Sequence, residues 1–242
     1  MALHFLTPGG ATAQIGEIVL LTGAEAKHAA VVRRVRVGES VTIGDGKGAW
    51  LEGVVDDVSA AEVSVRITER IEHALPATRI VLVQALAKGD RDELAVQAAC
   101  ELGVDGIVPW QAARSISRWE GPKAAKGRER WATIVREAAK QAHRPWVPEV
   151  ADVVSTAGLA ARAATARMLV LDPWTDTRLS DIRPDGRDIL IVVGPEGGIA
   201  PEELERLEAA GAERVRLGDT VLRTSTAGPA AIAVLSASLG RW

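Results

Sequence analysis

Residues 189–198 read ILIVVGPEGG, and residues 217–226 read LGDTVLRTST. The first stretch is an apolar run that ends in a glycine loop, and the second is a polar loop that contains a glycine. Glycine reaches positive φ and lets the backbone approach a ligand closely, because it has no Cβ. In open α/β sheets, ligands bind beyond the carboxyl ends of the strands. These two loops are therefore the candidate binding site.

Strands alternate with helices around the two loops. The sequence predicts strands at 79–85, 104–108, 168–171, 189–193 and 215–217, and helices at 91–102, 122–143, 201–210 and 226–239. This alternation predicts an α/β fold with a parallel sheet covered on both faces. The last helix is apolar on nearly all sides, so it must be buried all round. A second subunit could cover its outer side, which predicts a homodimer; a deeply enclosed helix in a monomer is the alternative.

The first 72 residues follow a different pattern. Short β-branched or alternating runs occur at 19–21, 40–43, 50–55 and 62–68, with turn sequences between them and one short helix predicted at 24–35. Short strands at this spacing are typical of a small β-barrel. Pro76, which would break a helix or a central strand, lies where the pattern changes. We therefore predict a barrel domain over residues 1–72 and an α/β domain over residues 73–242.

The composition is that of an ordinary globular protein, with 47% hydrophobic and 25% charged residues among 242. The single cysteine, Cys100, excludes an internal disulfide and favours a reducing, intracellular compartment. The N-terminus lacks the features of a signal peptide, and no apolar run approaches the roughly 20 residues of a membrane span. The expected location is the cytoplasm. Because the four histidines do not share ligand spacing, we expect no metal site.

Residues 114–146 form a basic region in an acidic chain. They hold nine lysines or arginines and three glutamates, whereas the whole chain has a net charge of −3. Such a local excess favours a polyanionic partner, although a solvated helix face is the alternative. Trp119 and Trp146 flank loops here and could stack on a single-stranded nucleic acid. Arg33 and Arg34, in the barrel domain, could extend the same surface.

The two loops carry distinct chemical signals. The loop at 194–198 does not match the dinucleotide or phosphate-binding glycine motifs, and Glu196 would repel a phosphate. A neutral or cationic ligand such as S-adenosylmethionine suits this loop, and a plain strand-to-helix connection is the alternative. In the second loop, Arg223 needs a partner between apolar elements, which a substrate phosphate or carbonyl oxygen could supply. Thr224, Ser225 or Thr226 could cap the last helix.

Four stretches in combination resemble a known family. They are VGPEGGIAPEEL at 193–204, RLGDTVLRTSTA at 216–227, ALAKGDRDELAVQAACELGVDGIVP at 85–109 and RWATIVREAAKQAHRPWVPEV at 130–150. Over nearly its whole length the chain resembles the ribosomal RNA small subunit methyltransferase E family. The resemblance implies a SPOUT-class methyltransferase with an N-terminal PUA-like barrel and a trefoil knot in its C-terminal α/β domain. It also implies a homodimer that methylates N3 of a uridine, position 1498 of 16S rRNA, with S-adenosylmethionine.

The resemblance also implies roles for individual residues. The residues expected to bind the cofactor are Leu171, Gly194, Pro195, Glu196, Gly197, Gly198, Ile199, Leu217, Gly218, Leu222 and Thr224. Arg223 is the first candidate for a catalytic residue that stabilises the uridine anion, and Arg144 is the second. The resemblance implies RNA binding by Lys88, Arg91 and Arg114, and Arg33 and Arg34 join them as RNA-binding candidates from the local pattern described above.

Two positions depart from the family pattern. Ser225 stands where family members often have glutamate, so no carboxylate base is present there. Phe5 follows His4 where a basic residue is common, which weakens an RNA-binding role for the N-terminus.

Three other functions are alternatives to methylation of a uridine base. They are ribose 2′-O-methylation of tRNA on the same fold, RNA binding without catalysis, and nucleotide-dependent oxidoreduction. The missing dinucleotide motif disfavours the last.

Overall fold

A computed structural model describes residues 2–242, which divide into two units. The first, the β unit, contains the chain up to Leu75 together with Ala139–Val147. The second, the α/β unit, contains Pro76–Ala138 and Pro148–Trp242. The units therefore separate close to the composition change at Pro76, and a short later segment belongs to the β unit.

The β unit holds a five-stranded sheet and one short helix. Its elements are β1 (Leu3–Leu6), β2 (Ile18–Thr22), α1 (Gly23–Lys27), β3 (Ser40–Gly44), β4 (Ala49–Val58) and β5 (Glu62–Glu72). The strand order is β1-β3-β4-β5-β2, with β1 and β3 parallel and the other neighbours antiparallel. The predicted helix at 24–35 is interrupted, because α1 passes into one π-helical segment at His28–Val32. Arg34 then adopts a positive φ of 54°, which ends the helical path.

Alternating side chains build the core of the β unit. Along β2 the burial alternates strictly, and Val19 and Leu21 lie inside while their neighbours face solvent. Those two residues pack in one cluster with Ile43, Leu51 and Val65. One apolar face per strand is what period-two alternation provides.

The α/β unit is built on a parallel sheet. Its strands are β6 (Ile80–Ala85), β7 (Gly106–Gln111), β8 (Glu149–Val150), β9 (Val154–Ser155), β10 (Arg167–Leu171), β11 (Ile189–Val193) and β12 (Glu213–Val215). Its helices are α2 (Arg91–Glu101), α3 (Pro122–Gln141, which runs on into the β unit), α4 (Thr156–Arg162), α5 (Pro201–Ala209) and α6 (Thr224–Ser238). The order is β12-β10-β11-β6-β7-β8, β9 also pairs with β7, and every pairing is parallel.

Helices cover both faces of this sheet. All five residues of β11 are buried, as expected for a strand enclosed on two sides. On one face Val83 packs in a cluster with Leu159 of α4 and Leu207 of α5. On the other face Leu82 meets α6 at Gly228, where a Cβ would lie 2.8 Å from the Leu82 Cδ1 atom. The predicted two-sided parallel sheet is therefore confirmed.

The path from β12 into α6 runs beside the segment that connects β10 to β11. The Leu179 N–H donates to the Arg216 carbonyl and the Arg216 N–H donates to the Thr177 carbonyl, both at 2.8 Å. The turn Leu179–Asp181 also contacts α6. The trefoil knot itself stays a prediction.

The last helix, α6, is buried on most of its surface. It begins at Thr224, slightly earlier than predicted. Ala230, Ala233 and Val234 are half-buried and Ala237 is exposed, so these four residues mark one stripe along the helix. Across residues 2–242, every helix falls short of the length or apolar character needed to cross a bilayer.

His4 is a buried polar residue in the β unit. Its ring stacks on Trp50, with ring centroids 4.4 Å apart. The Thr42 hydroxyl donates to the Leu3 carbonyl at 3.4 Å, so it accepts a hydrogen bond from the His4 Nδ1–H at 2.9 Å. The His4 Nε2 atom is then a buried acceptor with no partner among the described residues.

Burial, together with the nearby charges of His143 and Lys140, lowers the pKa of His4 to about 4. An unfolded histidine has a pKa of about 6.5. Between these values the unfolded chain binds a proton that the folded chain does not, so the free energy of unfolding falls as the pH falls. The expected loss over this window is about 3 kcal/mol.

Replacing His4 with phenylalanine keeps an aromatic ring against Trp50 and removes the titration. We expect the variant to lose less stability than the wild type between pH 6.5 and pH 4, as measured by urea unfolding at a series of pH values. His73→Phe, at an exposed histidine of the same unit, is the control and should keep the wild-type slope. Equal slopes for His4→Phe and the wild type would contradict the assignment.

Candidate functional site

The two glycine loops and the end of β10 enclose a cavity of about 690 Å³. Strand β10 lies between β11 and β12, and the three strands are parallel, so their carboxyl ends meet at one edge of the sheet. The volume is within the range of small-molecule and cofactor sites. All eleven residues predicted to bind a cofactor line this cavity, and so do Arg91, Arg114 and Arg223.

The side chain of Thr224 joins the two loops. Its hydroxyl donates to the Gly194 carbonyl at 2.9 Å and accepts a hydrogen bond from the Gln84 Nε2 atom at 2.9 Å. Both Thr224 and Gln84 are buried, so each bond is shielded from water. The first residue of α6 therefore fixes the start of the loop that follows β11.

The loop at 194–198 requires its glycines. The Gly198 N–H donates to the Pro195 carbonyl at 2.9 Å, which closes a tight turn, and Gly198 has a φ of 72°. A Cβ on Gly194 would lie 2.6 Å from the Ile199 Cγ1 atom. Larger residues at positions 194 and 198 would therefore disturb the conformation of this loop.

Basic residues hold this loop from outside. The Glu196 carboxylate accepts hydrogen bonds from the Lys88 N–H at 3.0 Å and from the Arg91 Nη1 atom at 3.2 Å. The Arg114 Nη1 atom donates to the Gly197 carbonyl at 3.1 Å. Glu196 therefore has an arginine partner already, which weakens its predicted attraction for a cationic ligand. The Lys88 contact is made by its backbone.

The second loop offers unpaired backbone groups. Within residues 2–242, no hydrogen bond involves the backbone N–H and C=O groups of residues 217–222. Val221 and Leu222 stay 67% and 36% exposed although both are large and apolar. Backbone polar groups need partners once they are covered. Free donors and acceptors beside apolar side chains are suited to a planar heterocyclic ligand.

The predicted arginines separate into two sets. Arg223 precedes α6 and is exposed, and its guanidinium has no hydrogen bond or ion pair among the described residues, although its carbonyl accepts from the Thr226 and Ala227 N–H groups. Arg144 belongs to the β unit, as do the exposed Arg33 and Arg34. These three, and the Lys88 side chain, are not among the residues that line the cavity.

The cavity wall also contains residues that the sequence did not single out, among them Asp172, Trp174 and Arg214. Asp172 is buried and accepts a hydrogen bond from the Arg214 Nε atom at 2.6 Å. Trp174 also lines the cavity, yet its surface is 82% exposed. Asp172 directly follows the predicted strand at 168–171, and its place at the same sheet edge as the two loops could have identified it as a site residue from the sequence.

The charges of the cavity wall favour an anionic partner. Its two carboxylates, Asp172 and Glu196, each bind an arginine. The part of the chain that the structure describes contains no group of three or more His, Cys, Asp or Glu residues able to hold a metal ion. The unpaired guanidinium of Arg223 adds positive charge at the wall. The arrangement can bind a planar ligand by backbone contacts and hold a polyanion next to it.

This fold and cavity define an RNA methyltransferase. Residues 73–236 match the family described as RNA methyltransferase domain, and residues 21–68 match the RNA methyltransferase PUA domain. The chain belongs to the ribosomal RNA small subunit methyltransferase E family.

Relatives match over most of their length. Ribosomal RNA small subunit methyltransferase E of Mycobacterium bovis is 42% identical over 235 residues, which covers 94% of this chain and 89% of that protein. The Bacillus subtilis protein of the same name is 34% identical, with 89% and 88% covered. A crystal structure of the Neisseria gonorrhoeae enzyme bound to S-adenosylmethionine has a TM-score of 0.87 and 30% identity, and covers 98% of each chain. The predicted fold class, a PUA-like β domain followed by an α/β methyltransferase domain with a parallel sheet, is confirmed.

Replacing Thr224 with valine removes the hydroxyl that joins the loops. The Gly194 carbonyl then loses the Thr224 hydrogen bond, and the Gln84 amide loses one of its two acceptors and keeps the Ala85 carbonyl. We expect a loss of about 1–3 kcal/mol in the free energy of unfolding, because buried polar groups become unsatisfied. Urea unfolding measures this loss. Ser225→Ala is the control and should change stability by less than about 0.5 kcal/mol. Equal effects of the two substitutions would contradict the linking role.

Proposed function

We propose that the protein transfers the methyl group of S-adenosylmethionine to N3 of a uridine in 16S rRNA, the one at position 1498 in the usual numbering. The observation that carries this proposal is the cavity whose second loop, residues 217–222, presents unpaired backbone groups. Family membership supports the reaction, since the relatives are named as methyltransferases of small-subunit ribosomal RNA.

The chain's own groups fit the methyl donor. Backbone N–H and C=O groups of 217–222 would bind the edge of its adenine, and Leu171, Leu217 and Leu222 would pack on the ring. The glycine loop at 194–198, fixed by Thr224, would close the opposite wall. The donor supplies a methyl group on a sulfonium, which is electrophilic without further activation.

The protein must therefore orient the uridine and stabilise its anion. Uridine N3–H is a weak acid and becomes a nucleophile only when it loses its proton. Arg223 has an unpaired, exposed guanidinium at the cavity and would stabilise the negative charge that develops on the base. Arg144 remains the second candidate. Because Asp172 and Glu196 are engaged with arginines, water or a phosphate of the RNA would take the proton in this scheme.

Basic residues on both units suit an RNA substrate. Arg91 and Arg114 lie on the cavity wall, and Lys88 follows the same sheet edge. Arg33 and Arg34 are exposed on the β unit and would contact the RNA backbone. The protein would act in ribosome biogenesis, in the cytoplasm, where small subunits are assembled.

We further propose that the protein is a homodimer. The stripe on α6 formed by Ala230, Ala233, Val234 and Ala237 is only partly covered within one chain. A second copy would bury it, because a helix this apolar gains free energy from complete burial.

The test is incubation of the protein with labelled S-adenosylmethionine and small subunits from a strain that lacks this methylation, followed by mass spectrometry of the digested RNA. We expect one methyl group on N3 of the uridine. Arg223→Ala should lower the methylation rate by about 100–1000-fold, as expected when a preorganised charge is removed. Cofactor affinity, measured by calorimetry, should stay unchanged.

Arg206→Ala is the matched control, because Arg206 is an exposed arginine of α5 outside the cavity wall. It should methylate at the wild-type rate. A methyl group on a ribose 2′ oxygen would contradict the proposed base, and RNA retention without any methyl transfer would contradict the enzymatic function. Near-normal activity of Arg223→Ala would dismiss the role of that arginine.

A further inference from the structure

Trp174 combines two properties that are seldom found together. It lines the cavity, and it is the most exposed large hydrophobic residue of the described chain, at 82%. Trp174 is the third residue after the end of β10. A large aromatic surface left open at a binding cavity indicates a partner that covers it.

The backbone under this side chain is fixed. The Trp174 N–H donates to the Asp172 Oδ1 atom at 2.9 Å, and the Asp172 Oδ2 atom accepts from the Arg214 Nε atom at 2.6 Å. Asp172 is buried, and Pro173 between them restricts φ. The indole is therefore presented from an anchored turn, which lowers the entropic cost of binding a partner.

The surroundings of the indole identify the chemistry of that partner. Arg91, Arg114 and Arg223 line the same cavity, and the guanidinium of Arg223 has no partner among the described residues. Aromatic rings stack on nucleobases, and neighbouring arginines bind the phosphates of the same strand. A tryptophan among arginines therefore favours a single-stranded RNA segment over an apolar protein surface.

We propose that Trp174 stacks on a nucleobase of the RNA and so positions the target uridine at the cavity. This inference rests on the proposed function, because it assumes that the open side of the cavity faces RNA. Trp174 is a positioning residue in this account and makes no contribution to the chemistry of methyl transfer. In the sequence, only its place after β10 marks this residue.

The test compares the wild type, Trp174→Ala and Trp174→Phe in methylation of undermethylated small subunits. We expect the alanine variant to raise KM for the subunits by about 5- to 150-fold, the range that loss of one base–aromatic stack produces. The phenylalanine variant should recover most of that loss. The affinity for S-adenosylmethionine, the thermal stability and the mass in light scattering should stay unchanged. Trp242→Ala, at another exposed tryptophan, is the control and should keep the wild-type KM.

A second measurement keeps this inference separate from the proposed reaction. A single-stranded, uridine-containing oligoribonucleotide should quench tryptophan fluorescence in the wild type, and the quenching should be lost in Trp174→Phe. Wild-type protein that fails to methylate while this quenching persists would refute the proposed function alone. An unchanged KM in Trp174→Ala would overturn the inference. So would a weaker affinity for S-adenosylmethionine, which would place the indole on the donor, or a change in oligomeric state, which would place it between two copies.

Discussion

One buried hydroxyl holds the candidate site together. Thr224 binds the Gly194 carbonyl and the Gln84 amide, and thereby ties the start of α6 to the ends of β11 and β6. These groups come from distant parts of the sequence, so the bonds form only when the parallel sheet has its final strand order. The shape of the cavity is thus a consequence of the completed fold.

The chemistry of the cavity follows from what this arrangement leaves free. The carboxylates of its wall are paired with arginines, whereas the backbone of residues 217–222 and the guanidinium of Arg223 are unpaired among the described residues. Neutral hydrogen-bonding groups line one side, and positive charge lies beside them. The planar adenine ring of a cofactor can use the hydrogen-bonding groups, and an RNA chain beside it can use the positive charge. Both ligands are consistent with the family to which the chain belongs.

The sequence correctly predicted the elements that are marked by a pattern of consecutive residues. Strand β11 has the predicted bounds, since an apolar run stops at a glycine loop, and α5 begins at the predicted Pro201. The strand expected at 104–108 begins later instead, because Val104 still bonds to the end of α2 through its N–H. The helix expected at 24–35 instead passes into a π-helical segment and ends before Arg34, whose positive φ no local pattern in the sequence indicated.

Long-range pairings lie outside what the sequence could predict. The sequence predicted a negatively charged loop at Glu196, but Arg91, from a different part of the chain, forms an ion pair with that carboxylate. Trp174 gave no periodic signal because it lies in a loop, where its position depends on the ion pair between buried Asp172 and half-buried Arg214. The eleven cofactor-binding candidates fell on one cavity because glycine loops after parallel strands meet at one sheet edge.

The most direct measurement is a crystal structure of the protein grown with S-adenosylmethionine. The account predicts the adenine ring between the Gly194 loop and residues 217–222, with backbone groups of the latter as its hydrogen-bond partners. A donor bound at any other place on the chain, or a cavity that stays empty while the donor is saturating, would contradict it.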